Sequence, residues 1–441
     1  MNKSLRVTVA IAALAALSAC GVFKGGGGKK TPTLGERVPV LAAEIGFSPD
    51  KSIADVAVVL PPAAVNESWS QPGGNPAKSM GNLALSASPS RVWSAKIAGT
   101  NGRVRLAAAP VVAGGALFVM DTEATVHAFD AATGARRWQA QTFKGEENRK
   151  ASFGGGVSFD AGKLYATNGL GEVVALDAAT GAEQWRVKPG GPLRGAPTIA
   201  NGNVYVVSQD NQLFALAQAD GSVVWTQQGT LESQGVFGVA APAAAQGTVV
   251  AGFSSGELNA YRYENGRSLW SDTLSRSTIS TSVSSLADID ADPVIDQGRV
   301  YAVGQGGRMA AIELNSGQRV WEQSIAGIST PWVAGEWLFV MSDDSKLVAL
   351  ARGSGKIRWI AQQRAWKNVK KKKGPITWVG PLLAGDRLWM GNSRGELVAA
   401  SPTDGAPGAT INVGDSISLP LVVANNMLYV LSDKGEITAY R

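Results

Sequence analysis

From residue 91 to residue 441 the chain is a succession of short apolar runs separated by polar turns rich in Gly, Asn and Asp. The clearest stretch is Val173–Trp185, VVALDAATGAEQW: an apolar run, a turn, and a second run ending on tryptophan. Its skeleton is an alanine, a glycine six residues on and a tryptophan ten residues on, here Ala175, Gly181 and Trp185. The alanine recurs at Ala128, Ala175, Ala215, Ala260, Ala311, Ala349, Ala399 and Ala439. The glycine follows at Gly134, Gly181, Gly221, Gly266, Gly317, Gly355 and Gly405. The tryptophan follows at Trp138, Trp185, Trp225, Trp270, Trp321 and Trp359; the seventh copy has Ala409 there, and the eighth reaches Arg441 first. A proline stands eighteen residues ahead of the alanine in six copies, Val157 replaces it in the second, and Pro420 is nineteen ahead in the last. A unit of fixed internal length returning roughly every forty to fifty residues signals a propeller or solenoid.

Each copy reads as four short strands. In the third these are Pro197–Ala200, Asn203–Ser208, Gln212–Ala217 and Ser222–Gln227. The turns between them carry Asn-Gly, Asp-Asn and Asp-Gly, which accept positive φ cheaply. The runs VYVV and LFAL are apolar on both faces, so these strands are expected to be covered on both sides. Four-stranded antiparallel sheets repeated in a ring are propeller blades. The expected fold is therefore all-β, an eight-bladed β-propeller. The last copy has room for three strands, and Ser90–Ser94 (SRVWS) reads as an orphan fourth. Pairing of the two would close the ring and leave no open sheet edge. The tryptophans Trp93, Trp138, Trp185, Trp225, Trp270, Trp321 and Trp359 are expected to dock structurally between blades, since equivalent copies need one common explanation.

Ahead of the repeats, residues 1–19 form a leader: Lys3 and Arg6, then the apolar run Val7–Ala19, too short to span a bilayer. The run ends Leu17-Ser18-Ala19-Cys20-Gly21, which resembles a bacterial lipoprotein box and makes Cys20 the expected lipidation site. Gly21 after the cysteine favours sorting to the outer membrane by the same resemblance. Residues 20–90 then read as a lipid-anchored tether, with four consecutive glycines between lysines, followed by an irregular Gly/Pro/Ser/Asn-rich segment; residues 91–441 read as the propeller.

The connectors that escape the repeat are unequal. Gln139–Gly156, Thr226–Ala241, Ser271–Asp292 and Ile360–Gly380 are long, and all of them should emerge on one face. Elaboration of one face of a repeat scaffold marks a binding surface. Leu286–Pro293 carries acids at alternate positions but lacks the Gly and distal Glu of an EF-hand loop. Thr230–Gly238 places Leu231, Val236 and Phe237 on a surface loop. Trp366–Trp378 carries Lys367 and Lys370–Lys373, which fits a solvated basic loop or a contact with anionic lipid or protein.

Composition removes much chemistry. There is one His (His127) and one Cys (Cys20), so disulfides, multi-cysteine zinc sites and Cys–His or Ser–His dyads lack raw material. No Walker loop, HExxH, GxSxG or CxxC occurs. The formal charge of +6 is mild for 441 residues, and no groove pattern of basic residues and stacking aromatics suggests nucleic acid. No metal and no cofactor is expected.

The unit A-x-D-x-x-T-G-x-x-x-W, clearest at Ala128–Trp138 and Ala175–Trp185, resembles the tryptophan-docking repeats of quinoprotein propellers. That superfamily includes quinone-dependent alcohol dehydrogenases and the BamB family, lipoproteins of the outer-membrane β-barrel assembly machinery. With its lipobox, glycine tether and eight repeats, the chain resembles the BamB family beyond about residue 90. The resemblance implies a non-enzymatic scaffold, lipid-anchored at the periplasmic face of the outer membrane, that binds the POTRA domains of a BamA-like barrel insertase and assists outer-membrane proteins, with unfolded chains as further candidate partners. Leu286–Pro293 is similar to that family's L-S-D-x-D-x-x-P contact segment, which implies Leu286, Asp288 and Asp290 as contact residues. The family's second contact stretch, L-x-L-R-G, matches Leu231-Glu232-Ser233-Gln234-Gly235 only at Leu231 and the glycine. The alternative is a quinone (PQQ)- and Ca²⁺-dependent periplasmic dehydrogenase, whose usual vicinal cysteine pair is missing.

Overall fold

The computed structural model describes residues 47–145, 151–193, 195–231, 240–274 and 288–441. Eight four-stranded antiparallel sheets are arranged as the blades of a propeller, within a compact unit that runs from Phe47 to Arg441. The third blade comprises Thr198–Ala200, Asn203–Val207, Gln212–Ala217 and Val223–Gln228, within a residue of the pattern-based reading at every boundary. Its second and third strands are buried almost throughout because they are sandwiched between neighbouring blades. The outer strand alternates, with Trp225 turned inward.

The alanine–glycine–tryptophan skeleton has a direct geometric cause. In every blade but the seventh the alanine lies directly across the ladder from the tryptophan of its own blade, as in Ala215↔Trp225 and Ala311↔Trp321. Immediately beyond, the ladder slips by one residue, a β-bulge that re-aims the outer strand. The indole thereby leaves its own sheet and reaches the next blade, where its N–H donates to a backbone carbonyl three residues after that blade's alanine. Seven such bonds span 2.7–3.1 Å: Trp93 to Ala131, Trp138 to Ala178, Trp185 to Gln218, Trp225 to Tyr263, Trp270 to Leu314, Trp321 to Arg352 and Trp359 to Pro402. The glycine is required twice over. Gly317 has φ +71°, a region that favours glycine, and a Cβ there would stand 2.5 Å from Trp270 Cβ. Six of the seven indoles also tilt against an aromatic ring on the second strand of their own blade, such as Tyr165 beside Trp185 at 5.8 Å.

The seventh blade offers Ala409 where the others offer tryptophan. The blade it faces has no hairpin between its third and fourth strands to receive an indole. Its third strand is Glu436–Tyr440, and Arg91–Lys96 pairs beside it as the fourth, with Trp93 opposite Ala439. Backbone bonds Ser90 N–H to Arg441 O (2.7 Å) and Arg441 N–H to Ser90 O (2.9 Å) extend that ladder.

Residues 47–90, expected to be irregular, form no long strand, yet they are built into the body. The first part runs along the outside of the sixth blade. Asp50 N–H donates to Ile357 O, and Arg358 Nε donates to Val56 O. The chain then enters the central channel and makes one circuit of it between Asn66 and Leu83. It meets the innermost strand of every blade in ring order. Asn425 N–H donates to Asn66 O (eighth blade), and Trp69 and Val112 exchange both backbone bonds (first). Phe159 N–H donates to Ser70 O (second), and the Gln71 amide receives from Ile199 N–H and donates to Ile199 O (third). Ala244 N–H donates to Pro76 O (fourth) and Ile295 N–H to Ala77 O (fifth). Trp332 Nε1 donates to Gly81 O (sixth), and Leu83 N–H donates to Leu383 O (seventh). Trp69, 3% exposed, stacks on Trp332 across the channel with ring centroids 6.2 Å apart. This segment therefore satisfies inner-strand backbone groups that would otherwise line the channel.

Candidate partner-binding face

In an up-down-up-down blade the outer-to-inner connectors and the turns between second and third strands share one face. The docking turns and the first hairpins share the other. The channel segment bonds near the first hairpins, so it closes the docking-turn side. Between it and the connectors remains a cavity of about 240 Å³. Its walls are mostly Ala, Pro and Gly from the starts of the inner strands, with Trp69, Trp332 and Leu421. Its polar lining includes Lys78 from the channel segment and Asp290 and Asp292 from the connector into the fifth blade.

Lys78 is buried, and its ammonium donates to Thr198 Oγ1 at 3.0 Å. Burial pushes its pKa down to about 8, with Asp292 opposing that shift. Asp292 accepts from Ala241 N–H at 2.7 Å, and burial pushes its carboxyl up while Lys78 holds it down. Asp290 accepts from Gln305 Nε2 at 2.8 Å. Its pKa is pushed up to about 6, first by burial and then by the neighbouring Asp288 and Asp343. The acids at alternate positions thus turn inward along the rim of the channel. Asp288 itself is 2% exposed. Its carbonyl accepts from Gln305 N–H, and Ile289 packs against Gly252, where a Cβ would stand 2.5 Å from Ile289 Cγ2. Asp290, half-buried at the rim, is the more accessible of the two. Among the described residues no cluster of three or more His, Cys, Asp or Glu side chains could hold a metal ion.

Leu231 has 67% of its surface exposed, three residues beyond the last strand of the third blade, at the start of the connector that leaves it. Thr230 just before it is clamped by Glu257, which accepts from both its N–H (2.8 Å) and its Oγ1 (2.6 Å). Leu286 and Cys20 lie outside the described residues.

A profile of the family described as "Outer membrane protein assembly factor BamB" matches residues 79–147 and 122–361, more than half of the chain. The chain belongs to the BamB family. The relative from Yersinia pestis is 27% identical over 361 residues, which cover 80% of this chain and 89% of that one. The relative from Shewanella oneidensis is 25% identical over 357 residues, covering 79% and 88%. Both carry the same name of assembly factor. Among solved structures, BamB from Moraxella catarrhalis superposes with a TM-score of 0.68 at 21% identity, over 80% of this chain and all of that one. A quinohemoprotein alcohol dehydrogenase from Comamonas testosteroni gives 0.65 at 14% identity, over 86% and 81%. The two structures are alike in fold, so fold cannot separate scaffold from dehydrogenase. Family membership does: the protein is an outer membrane protein assembly factor and not an enzyme.

Within this BamB-family chain the seven indoles expected to dock between blades all do so. The residues that pattern reading missed are those of the channel segment: Trp69, Gln71, Lys78 and Leu83. Only Trp69 and Leu83 carried any signal, as isolated large apolar residues in an otherwise polar stretch.

Proposed function

We infer that the protein is a lipid-anchored scaffold at the periplasmic face of the outer membrane. It holds the POTRA region of a BamA-like barrel insertase against its connector face and so assists insertion of outer-membrane proteins, whose unfolded chains are further candidate ligands. One observation carries this reading. The channel is threaded by the chain's own residues 66–83, so the elaborated surface left for a partner is the face that bears the long connectors. Leu231 is the exposed apolar anchor there, and the Asp288–Asp292 rim supplies the neighbouring contact, with Leu286 preceding it in sequence. Asp288 is buried, so Asp290 is the acid of this rim that a partner can reach.

The anchor is Cys20, after removal of residues 1–19, with residues 20–46 as the tether to the compact unit. Acyl chains hold a protein at a bilayer without spanning it. Replacing Cys20→Ala should release the protein from membranes, and continued membrane association would refute the anchor. The partner reading is tested by Leu231→Glu, an exposed site where a charge costs the fold little. Co-purification with the insertase should fall by about ten-fold or more, as expected for loss of an interface anchor. Undiminished co-purification would refute the assignment of this face.

A further inference from the structure

The connector from the sixth to the seventh blade carries Arg364, Lys367 and Lys370–Lys373, and residues 363–377 contain no carboxylate. The structure folds it into a β-hairpin, with Trp366–Asn368 paired to Lys373–Pro375. Its base is fixed. Trp378 Nε1 donates to Arg364 O at 3.0 Å, Ile376 N–H to Ala365 O at 2.9 Å, and the Arg364 guanidinium to Trp366 O and Lys367 O. Its tip is exposed throughout, with Val369 64% exposed among the lysines. Lys372 is held at φ +47°, where glycine or asparagine would be at ease. None of Lys370–Lys373 makes an ion pair among the described residues. Beside the hairpin lies an open groove of about 560 Å³ lined in part by Arg364, Lys367 and Arg394. The acids nearby are engaged: Asp415 accepts from Lys434 N–H and pairs with Lys434 Nζ, and Glu396 pairs with Arg394.

We propose that this hairpin is a second membrane contact, a polybasic tip that rests on an anionic phospholipid surface. Three features favour a bilayer over an acidic protein. The cations at the tip are all lysines, which act as hydrated point charges and not as the planar, bidentate clamps that arginines provide for particular carboxylates. They sit on a solvent-exposed turn whose own hydrogen bonds, such as Lys371 N–H to Asn368 Oδ1 at 3.0 Å, engage its backbone and leave the ammonium groups in solvent. An exposed valine stands among them, able to enter the headgroup region. Each lysine close to an anionic surface contributes about a five-fold gain in partitioning. Four of them are therefore worth on the order of several hundred-fold. The proposal stands independently of the partner assigned to the other connectors.

The test uses the chain from Gly21 onward, which keeps the whole compact unit Phe47–Arg441 and lacks the lipidated residue. It is sedimented with vesicles of phosphatidylglycerol and phosphatidylcholine, and with phosphatidylcholine alone. The expected result is binding to the anionic vesicles only, weakened by raised salt. Replacing Lys370, Lys371, Lys372 and Lys373 by Gln should lower that binding by roughly several hundred-fold with an unchanged unfolding transition, since the tip buries nothing. No binding by the unmodified chain, or equal binding by the quadruple variant, would overturn the proposal. So would capture by polyglutamate without capture by vesicles, which would assign the hairpin to an acidic protein. Competition by inorganic phosphate at the vesicles' phosphate concentration would reduce it to a single-phosphate site and also overturn it.

Discussion

The docking glycines can be tested against an internal control. Gly317 and Gly298 lie in the fifth blade and have nearly the same backbone, φ +71° and +76°. They differ in what a side chain would meet. At Gly298 an added Cβ would have nothing within 4 Å, whereas at Gly317 it would stand 2.5 Å from Trp270 Cβ and 2.6 Å from Cγ. Those atoms are close to the Trp270 backbone and cannot swing away, so the two blades must separate. Gly298→Ala therefore carries only the left-handed backbone penalty, about 1–2 kcal/mol. Gly317→Ala carries the same penalty and an overpacking cost of about 1–3 kcal/mol. It also strains the 2.7 Å bond from Trp270 Nε1 to Leu314 O, worth roughly 1 kcal/mol. The difference between the two variants is thus expected to be about 2–4 kcal/mol. Equilibrium urea unfolding of both, followed by tryptophan fluorescence, measures it. Equal shifts in the two variants would show that the indole contact does not hold the blades together.

Other consequences concern the channel and the rim. Gln71→Ala should destabilise by about 2–3 kcal/mol, because it strands both Ile199 N–H and Ile199 O inside the channel; a neutral effect in denaturant unfolding would mean that water replaces the amide. Removing residues 91–96 should expose the edge of Glu436–Tyr440 and greatly lower the melting temperature, and an unaltered transition would contradict the strand's part in the ring. Asp290 has its pKa raised from 3.8 to about 6, so the folded state binds its proton more tightly than the unfolded state does. Its contribution to stability is full below about pH 4 and is lost as pH rises through 6. Asp290→Asn, which can still accept from Gln305, should therefore stabilise by up to about 3 kcal/mol at pH 7.5 and by little at pH 4; the opposite pH trend would show that the ionised carboxylate is favoured at the rim.

The ring was legible because every copy solves the same packing problem. Alanine sits across from tryptophan, glycine makes room for it, and fixed spacing follows; the aromatic ten residues before the alanine, as at Tyr165 and Tyr205, belongs to the same signature but is diluted by Val250 in the fourth blade. The channel segment was illegible for the converse reason. Between Asn66 and Leu83 successive residues meet different blades, so no residue repeats a neighbour's environment and no period arises. Gly, Pro, Asn and Ser there read as a solvated loop, yet their backbone groups are spent on inner strands. Position on the connector was readable for Asp288, but orientation was not. Ile289 is buried among residues of the fourth and fifth blades and Ala291 among those of the fifth and sixth, which forces the chain down onto the rim and carries Asp288 inside.

The proposed function rests on a partner bound at the connector face and not in the channel. Affinity purification of the native membrane complex in mild detergent, from cells carrying Leu231→Glu beside cells with the unaltered chain, tests it most directly. The unaltered protein should bring down the barrel insertase, and the variant, folded and membrane-bound at the same level, at least about ten-fold less. Equal recovery from both, or no insertase with either, would contradict it.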